Sequence, residues 1–314
     1  MNAGRGRARP LLVTGLPRSG TSWVGKMLEA SGEVVYINEP LNPEHPPGHS
    51  PGVLNAEVSH RFQYICEDNE AEWRPAFTDT VALRYQFRAE LRRNRGLYDL
   101  ARLAKYGTSF TWGRLRRRRA MLDDPFALLS TRWLVRRFGC RVVVLVRDPV
   151  ALVGSWRKLG WQAYFHELLE QPLLVRDLLG RYADELRFLV GSPDQVTRVA
   201  TLWNVCYDIV ERHFADLPTV HVQRYEDLAT DPVTGFAKLY DFCGLTFSPR
   251  VVTVIEAATN GTDRRAESHH WSLRYGLSKT AFTPMDSRAG LDSYRQRLTE
   301  HEIARVRVLT GDVA

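Results

Sequence analysis

The sequence predicts an α/β protein, a mostly parallel central sheet flanked by helices, and three observations carry that prediction. Short apolar runs alternate with longer segments whose apolar residues fall at helical spacing, so strands are joined through helices. The runs are apolar throughout, as strands covered on both faces are. Two of them stop at a glycine or at Arg-Asp-Pro, the punctuation of a strand turning into a helix.

Taken in order, Leu11-Leu12-Val13-Thr14-Gly15 reads as a short buried strand ending at glycine. The segment Leu16 to Trp23 is a loop, and Val24, Met27 and Leu28 give the helix that follows its apolar face. A second strand, Val34-Val35-Tyr36-Ile37, runs into Asn38-Glu39-Pro40. Residues 40–52 hold five prolines and two glycines and read as a loop or lid. Residues 56–138 read mainly as helices with many arginines, so the stretch of about 50–138 is expected to form a helical insertion or cap on the core. Strand character returns at residues 141–146, and Pro149 suits the first turn of a helix carrying Leu152, Val153 and Trp156. Helical patterns cover about 173–190 and 195–214, followed by a strand at 219–223 that runs into Arg224-Tyr225-Glu226-Asp227-Leu228. A helix at 235–243, an irregular basic segment at 261–290 and an amphipathic helix at 298–309 complete the chain. No internal repeat or low-complexity linker divides it, so residues 1–314 read as a single domain.

Composition excludes several classes. With 44% hydrophobic and 25% charged residues among 314, the chain is globular and not disordered. No apolar run reaches the roughly 18 to 20 residues that span a bilayer, and the one before Gly15 is too short for a signal peptide. Cys66, Cys140, Cys206 and Cys243 lie far apart, the pattern of isolated reduced core thiols in a cytoplasmic protein. The 43 Lys and Arg outnumber the 36 Asp and Glu by +7, which points to an anionic partner without naming it.

The loop carries the chemistry. Gly15 to Ser22 nearly fits the nucleoside-triphosphate pattern G-x4-G-K-[ST], but Thr21 stands where the lysine belongs. The strand, the glycine-bounded turn and the helix N-terminus still suit an anion, so the expected core is phosphate-loop NTPase-like. Without the lysine, and with no evident acidic strand end downstream to hold magnesium, ATP hydrolysis is disfavoured. Arg18 supplies positive charge in the lysine's stead, and Ser19, Thr21 and Ser22 offer hydroxyl donors. Arg147 ends a buried strand and Ser155 lies two helical turns further on, a guanidinium and a hydroxyl suited to a second phosphate.

Pro17-Arg18-Ser19-Gly20-Thr21-Ser22-Trp23 resembles the 5′-phosphosulfate loop of the sulfotransferases that use 3′-phosphoadenosine 5′-phosphosulfate. Three further segments follow in that family's order. Arg147-Asp148-Pro149 with Ser155 resembles the 3′-phosphate site, and Tyr225-Glu226-Asp227-Leu228 resembles the strand-end motif whose tyrosine lies near the adenine. Ser287-Arg288-Ala289-Gly290 resembles the basic loop that closes over the 3′-phosphate, although the lysine common there is alanine. The resemblance implies sulfuryl transfer to an acceptor hydroxyl of a carbohydrate, glycolipid or small natural product, with adenosine 3′,5′-bisphosphate as product and no metal. It implies donor contacts from Arg18 to Trp23 and from Arg147, Ser155, Tyr225 and Arg288.

Transfer to an alcohol needs a base and donors for the leaving phosphate. Arg18 and the loop N–H groups suit the second role. Glu39, directly after the second strand, suits the first, and Asn38-Glu39-Pro40 resembles the glutamate pattern of carbohydrate and bacterial sulfotransferases. His45, His49 and His60 are rival bases, since other members use a histidine. Arg92, Arg93 and Arg95, and Arg114 with Arg116 to Arg119, form two basic clusters that either solvate a helix face or attract an anionic acceptor or a membrane surface. Trp73, Trp112, Trp133, Trp161 and Trp271 could stack on rings, and His269-His270-Trp271 has no third ligand at metal-binding spacing. A phosphate-loop kinase or nucleotide hydrolase, and a non-catalytic anion-binding protein, remain the alternatives. Nucleic acid is not expected as a partner.

Overall fold

Five parallel strands, β1 (Leu11–Gly15), β2 (Val34–Asn38), β3 (Arg119–Asp123), β4 (Arg141–Val146) and β5 (Val220–Arg224), form one sheet in the order β2-β3-β1-β4-β5. These come from a computed structural model that describes residues 9–44, 49–259 and 291–311. Both faces are buried, as the apolar runs require. Leu11, Val13, Met121, Val143 and Leu145 face one layer, and Leu12, Ala120, Leu122, Val142 and Val144 face the other, which is the two-residue period of a strand.

The first helix, α1 (Thr21–Glu29), leaves β1. Between β2 and β3 lie α2 (Glu70–Val81), α3 (Phe87–Arg93) and α4 (Leu97–Leu115), and a 3-10 turn (Pro125–Ser130) with α5 (Thr131–Phe138) leads to β4. Five helices follow: α6 (Pro149–Leu159), α7 (Phe165–Leu169), the single turn α8 (Pro172–Leu174), α9 (Ala183–Leu189) and α10 (Gln195–His213). After β5 come α11 (Tyr225–Thr230), α12 (Pro232–Cys243), α13 (Pro249–Thr259), a 3-10 turn (Ser293–Gln296) and α14 (Glu300–Thr310). The start of α6 shows why the chain turns where it does. Asp148 Oδ1 accepts the Ala151 N–H at 2.8 Å and Pro149 occupies the first turn, where no donor is needed. Among the described residues no helix is long and apolar enough to cross a membrane.

Three sequence expectations change. The stretch 50–138 is not a purely helical insertion, because β3 lies within it and runs between β1 and β2 in the middle of the sheet. Only Ala120-Met121-Leu122 is apolar there, flanked by an arginine run and by Asp123-Asp124, so neither period had length enough to register. The expected helix at 173–190 is broken into α8, a π-helical turn (Val175–Leu179) and α9. Arg119 also leaves the surface cluster to which it was assigned: its guanidinium donates to the carbonyls of Arg9 at 2.6 Å and Cys243 at 2.7 Å, tying β3 to the end of α12.

Candidate active site

The carboxyl ends of β1, β2, β3 and β4 meet at the loop between β1 and α1. Gly20 caps α1 with φ 101°, a conformation glycine adopts freely, and offers no side-chain acceptor to the first turn. The N–H groups of Thr21, Ser22 and Trp23 therefore open toward an anion with the positive end of the helix behind them. Three aromatic donors hold the neighbouring backbone. Trp156 Nε1 donates to Pro17 O at 2.8 Å, Trp203 Nε1 to Arg147 O at 2.8 Å, and Tyr207 Oη to Leu145 O at 2.8 Å while accepting the Leu16 N–H at 3.2 Å. In sequence such a donor is indistinguishable from a core aromatic that only packs on its helix.

Arg18, Arg147 and Ser155, far apart in sequence, converge here. Arg18 Nε donates to Ser155 Oγ at 3.4 Å, and an Arg147 guanidinium nitrogen donates to Arg18 O at 2.8 Å. The end of the Arg18 side chain reaches solvent. Even so, loss of hydration lowers its pKa, followed by the repulsion of Arg147 and of Arg297, and Tyr225 and Glu39 act the other way. Arg297 was not foreseen; it lies beyond the expected motifs, in a segment without a pattern of its own. Tyr225 is buried beneath Gly20, where a Cβ would come within 2.6 Å of its ring, and the Arg147 guanidinium lies 4.9 Å from its ring centre. Trp23 does not line the site with its side chain: it is buried edge-on to Tyr225 at 5.5 Å and to Phe236 at 5.3 Å, backing the tyrosine from the core. Glu226 accepts the Asp148 N–H at 3.0 Å, which joins the ends of β4 and β5. Two buried polar atoms, Ser19 Oγ and Arg147 Nε, have no hydrogen-bond partner among the described residues. Orphaned donors beside a helix N-terminus fit a bound phosphate or sulfate.

Glu39 enters the same site with φ 47°, left-handed for a residue with a side chain. Asn42 Nδ2 donates to its carboxylate at 2.8 Å. Burial raises its pKa, and the Asn42 hydrogen bond and the Arg18 charge offset part of that rise. Next to it stands the acidic strand end that seemed absent from the sequence: Asp123 and Asp124 close β3, both fully buried. They were overlooked because β3 was. Burial pushes the Asp123 carboxyl up to about 7, with hydrogen bonds from Tyr36 and from the hydroxyls of Thr21 and Ser22 working against the rise. Asp124 accepts the N–H groups of Leu41 at 2.7 Å and Phe126 at 3.0 Å, and its own N–H donates to Val13 O at 2.9 Å. One buried residue, through its carboxylate and its backbone N–H, so ties β1, the turn after β3 and the loop after Glu39.

A cavity of about 170 Å³ opens beside the loop, with Pro17 and Asn42 in its wall together with Phe62, Phe126, Trp161 and Tyr164. Arg61 also lines it, lying 4.0 Å from the Tyr164 ring centre and paired with Glu44 and Glu167. Of the tryptophans singled out, Trp161 reaches this cavity, Trp73 and Trp133 are core, and Trp112 is exposed. His49 contacts Pro43 O, and His60 faces Ser59 and, at 3.7 Å, Glu170. His45, the His269-His270-Trp271 triplet and Arg288 lie outside the described residues.

The profile of the sulfotransferase family matches residues 10–249 of the chain. Carbohydrate sulfotransferase 1 of Danio rerio is 25% identical over 202 residues, covering 59% of this chain and 36% of that relative. The chain therefore spans well under half the length of the curated relative it matches. Among solved structures, the sulfotransferase domain from the curacin biosynthetic pathway is 14% identical, with a TM-score of 0.47 over 96% of this chain and 97% of that one. A mouse sulfotransferase, SULT7A1 complexed with PAP, is 13% identical, with a TM-score of 0.45 over 96% and 83% of the two chains.

Proposed function

The chain belongs to the sulfotransferase family, and from that membership we propose that it transfers a sulfuryl group from 3′-phosphoadenosine 5′-phosphosulfate to an acceptor hydroxyl. The observation that carries the reading is the convergence of Arg18, Arg147 and Ser155 on the open N-terminus of α1, with Glu39 in electrostatic reach of Arg18. In this reading Arg18, Ser19 and the N–H groups from Gly20 to Trp23 hold the 5′-phosphosulfate. Arg147 and Ser155, with Arg288, hold the 3′-phosphate, and Tyr225 supports the adenosine side.

Glu39 takes the proton of the acceptor hydroxyl as its oxygen bonds to sulfur. The sulfur–oxygen bond to the 5′-phosphate breaks, and Arg18 with the loop N–H groups stabilises the charge left on that phosphate oxygen. A carboxylate raised by burial is a stronger base than one in water, and Glu39 lies in reach of Arg18 whereas His49 and His60 contact Pro43, Ser59 and Glu170, which favours the glutamate. The cavity beside Asn42, with rings and polar groups in its wall, supports a sugar, a glycolipid headgroup or a small natural product as acceptor. Four buried free thiols support a cytoplasmic setting.

The second reading, a kinase or nucleotide hydrolase, gains from Asp123 at a strand end beside the loop. It is weakened by the missing lysine and by the full burial of Asp123 against the Tyr36 hydroxyl. Thermal shift with adenosine 3′,5′-bisphosphate against ATP with magnesium separates the two. A larger shift with the bisphosphate is the expected result, and a larger shift with ATP and magnesium overturns the proposal.

A further inference from the structure

We propose that the outer face of α3 and α4 is a docking surface for an anionic lipid bilayer. The inner side of α4 is fixed on the sheet: Phe110 is fully buried, and a Cβ at Gly113 would collide with Val35 of β2. The outer side is apolar and uncovered. Leu97, Leu100, Ala104, Thr108, Trp112 and Leu115 recur at three- and four-residue spacing and all are exposed, Leu97 by 88% and Leu115 by 69%. Phe87 and Leu91 of α3 add to the patch. Scattered exposed apolar residues need no explanation, but a continuous stripe over five turns of helix does.

Charge identifies the occupant. Residues 87–118 carry nine arginines and one lysine against two acids, a net +8, whereas the whole chain nets +7. The rest of the protein is thus close to neutral, and the basic excess noted at the outset resides in this hairpin. Both acids are spoken for, since Arg102 pairs with Glu90 at 2.8 Å and Asp99 at 3.0 Å. Among the described residues Arg88, Arg92, Arg93 and Arg95 make no ion pair, and neither do Arg114, Arg116, Arg117 and Arg118. A second copy docked face to face would set +8 against +8. A nucleic acid would satisfy the arginines and leave the leucines in water. An anionic bilayer takes both: lipid headgroups pair with the arginines, and the leucines and Trp112 enter the acyl boundary. Arg116 lies 5.3 Å from the Trp112 ring centre, a cation beside the aromatic suited to the headgroup level.

Sedimentation of the full chain with vesicles tests this, and needs neither donor nor acceptor, so it stands apart from the proposed reaction. Vesicles of phosphatidylcholine mixed with phosphatidylglycerol are expected to bind at least about tenfold more tightly than phosphatidylcholine alone. Brominated lipid should quench a part of the tryptophan fluorescence that Trp112→Phe removes. The Leu97→Glu, Leu115→Glu double variant should keep its circular dichroism and lose about tenfold or more in vesicle affinity. Equal binding to both vesicles, binding without quenching of Trp112, or unchanged affinity of the double variant overturns the proposal. So does a dimer in light scattering that the double variant dissociates, which would assign the face to a second copy.

Discussion

The backbone N–H of Glu39 donates to the carbonyl oxygen of Asp123 at 2.7 Å. This bond carries the β2–β3 ladder one residue past the end of β2 and fixes the height at which the Glu39 carboxylate enters the site. Because a main-chain bond does the positioning, Glu39→Gln should leave the backbone in place and remove only the proposed base. The expected loss in kcat is about 100- to 10,000-fold with saturating donor, with Tm and bisphosphate affinity near wild type. Near-normal turnover in steady-state assays would return the role to a histidine.

Arg18 and Glu39 are two of the five described non-glycine residues with positive φ, at 77° and 47°. Left-handed backbone costs a side-chain-bearing residue roughly 1–2 kcal/mol, and such costs persist where function requires the geometry. Arg18→Gly relieves that strain and the repulsion from Arg147 and Arg297, while the unfolded chain gains about 0.4–1 kcal/mol of freedom. The effects nearly offset, so calorimetry should find Tm within about 3 °C of wild type. Titration should find bisphosphate affinity lower by about tenfold or more, the worth of a charge-assisted hydrogen bond. A large fall in Tm with affinity intact would make Arg18 a structural residue.

The contrast between β1 and β3 shows what was legible in the sequence. Strand β1 ends in a glycine loop whose residue types belong to one chemistry, so Arg18, Ser19 and Gly20 could be picked out before any fold was drawn. Arg147 and Ser155 were legible for the same reason, at the Arg-Asp-Pro end of a long apolar strand. Strand β3 has three apolar residues between charges, and its place beside β1 depends on pairing across more than a hundred residues, which no local pattern records. With β3 illegible, Asp123 and Asp124 do not read as a strand end, and no acidic strand end shows downstream of the loop. Trp156, Trp203 and Tyr207 went unseen differently: a buried aromatic that donates one hydrogen bond to a loop carbonyl has the same sequence signature as one that only packs.

Asp124 shows what such hidden residues do. Its carboxylate accepts the N–H groups of Leu41, in the loop after Glu39, and of Phe126, in the turn after β3. Asp124→Ala leaves both donors unpaired, each at about 1–3 kcal/mol. Thermal melts should show a clear drop in Tm, and kinetics at a permissive temperature should show kcat falling further than donor KM rises, because the base is displaced and the phosphate loop is not. Equal losses in both parameters would argue for general unfolding instead.

In the proposed reaction Asn42 tunes the pH at which Glu39 works. Its side-chain N–H stabilises the ionised carboxylate and offsets part of the rise that burial imposes. As the proposed base, Glu39 must be deprotonated to act, so activity should fall as pH falls through its raised pKa. Asn42→Ala removes the stabilising donor, and the acid limb of the kcat profile should move to higher pH while the alkaline side stays put. A limb that stays where it is, or moves to lower pH, would detach it from Glu39.

Asp123 makes a prediction about stability with the opposite sign to that of an ion-paired carboxylate. Its carboxyl is pushed from an ordinary 3.8 up to about 7 by full burial. Between those values the folded state binds a proton that the unfolded state has released, so this group's contribution to stability falls as pH rises through that window. Asp123→Asn keeps an oxygen to accept the Tyr36 hydroxyl and carries no charge to bury. Denaturant titrations of the two proteins from pH 4 to pH 8 should therefore diverge, the variant gaining on the wild type by up to about 1.4 kcal/mol per pH unit within the window. Parallel curves, or a variant that loses ground as pH rises, would mean that Asp123 is ionised throughout.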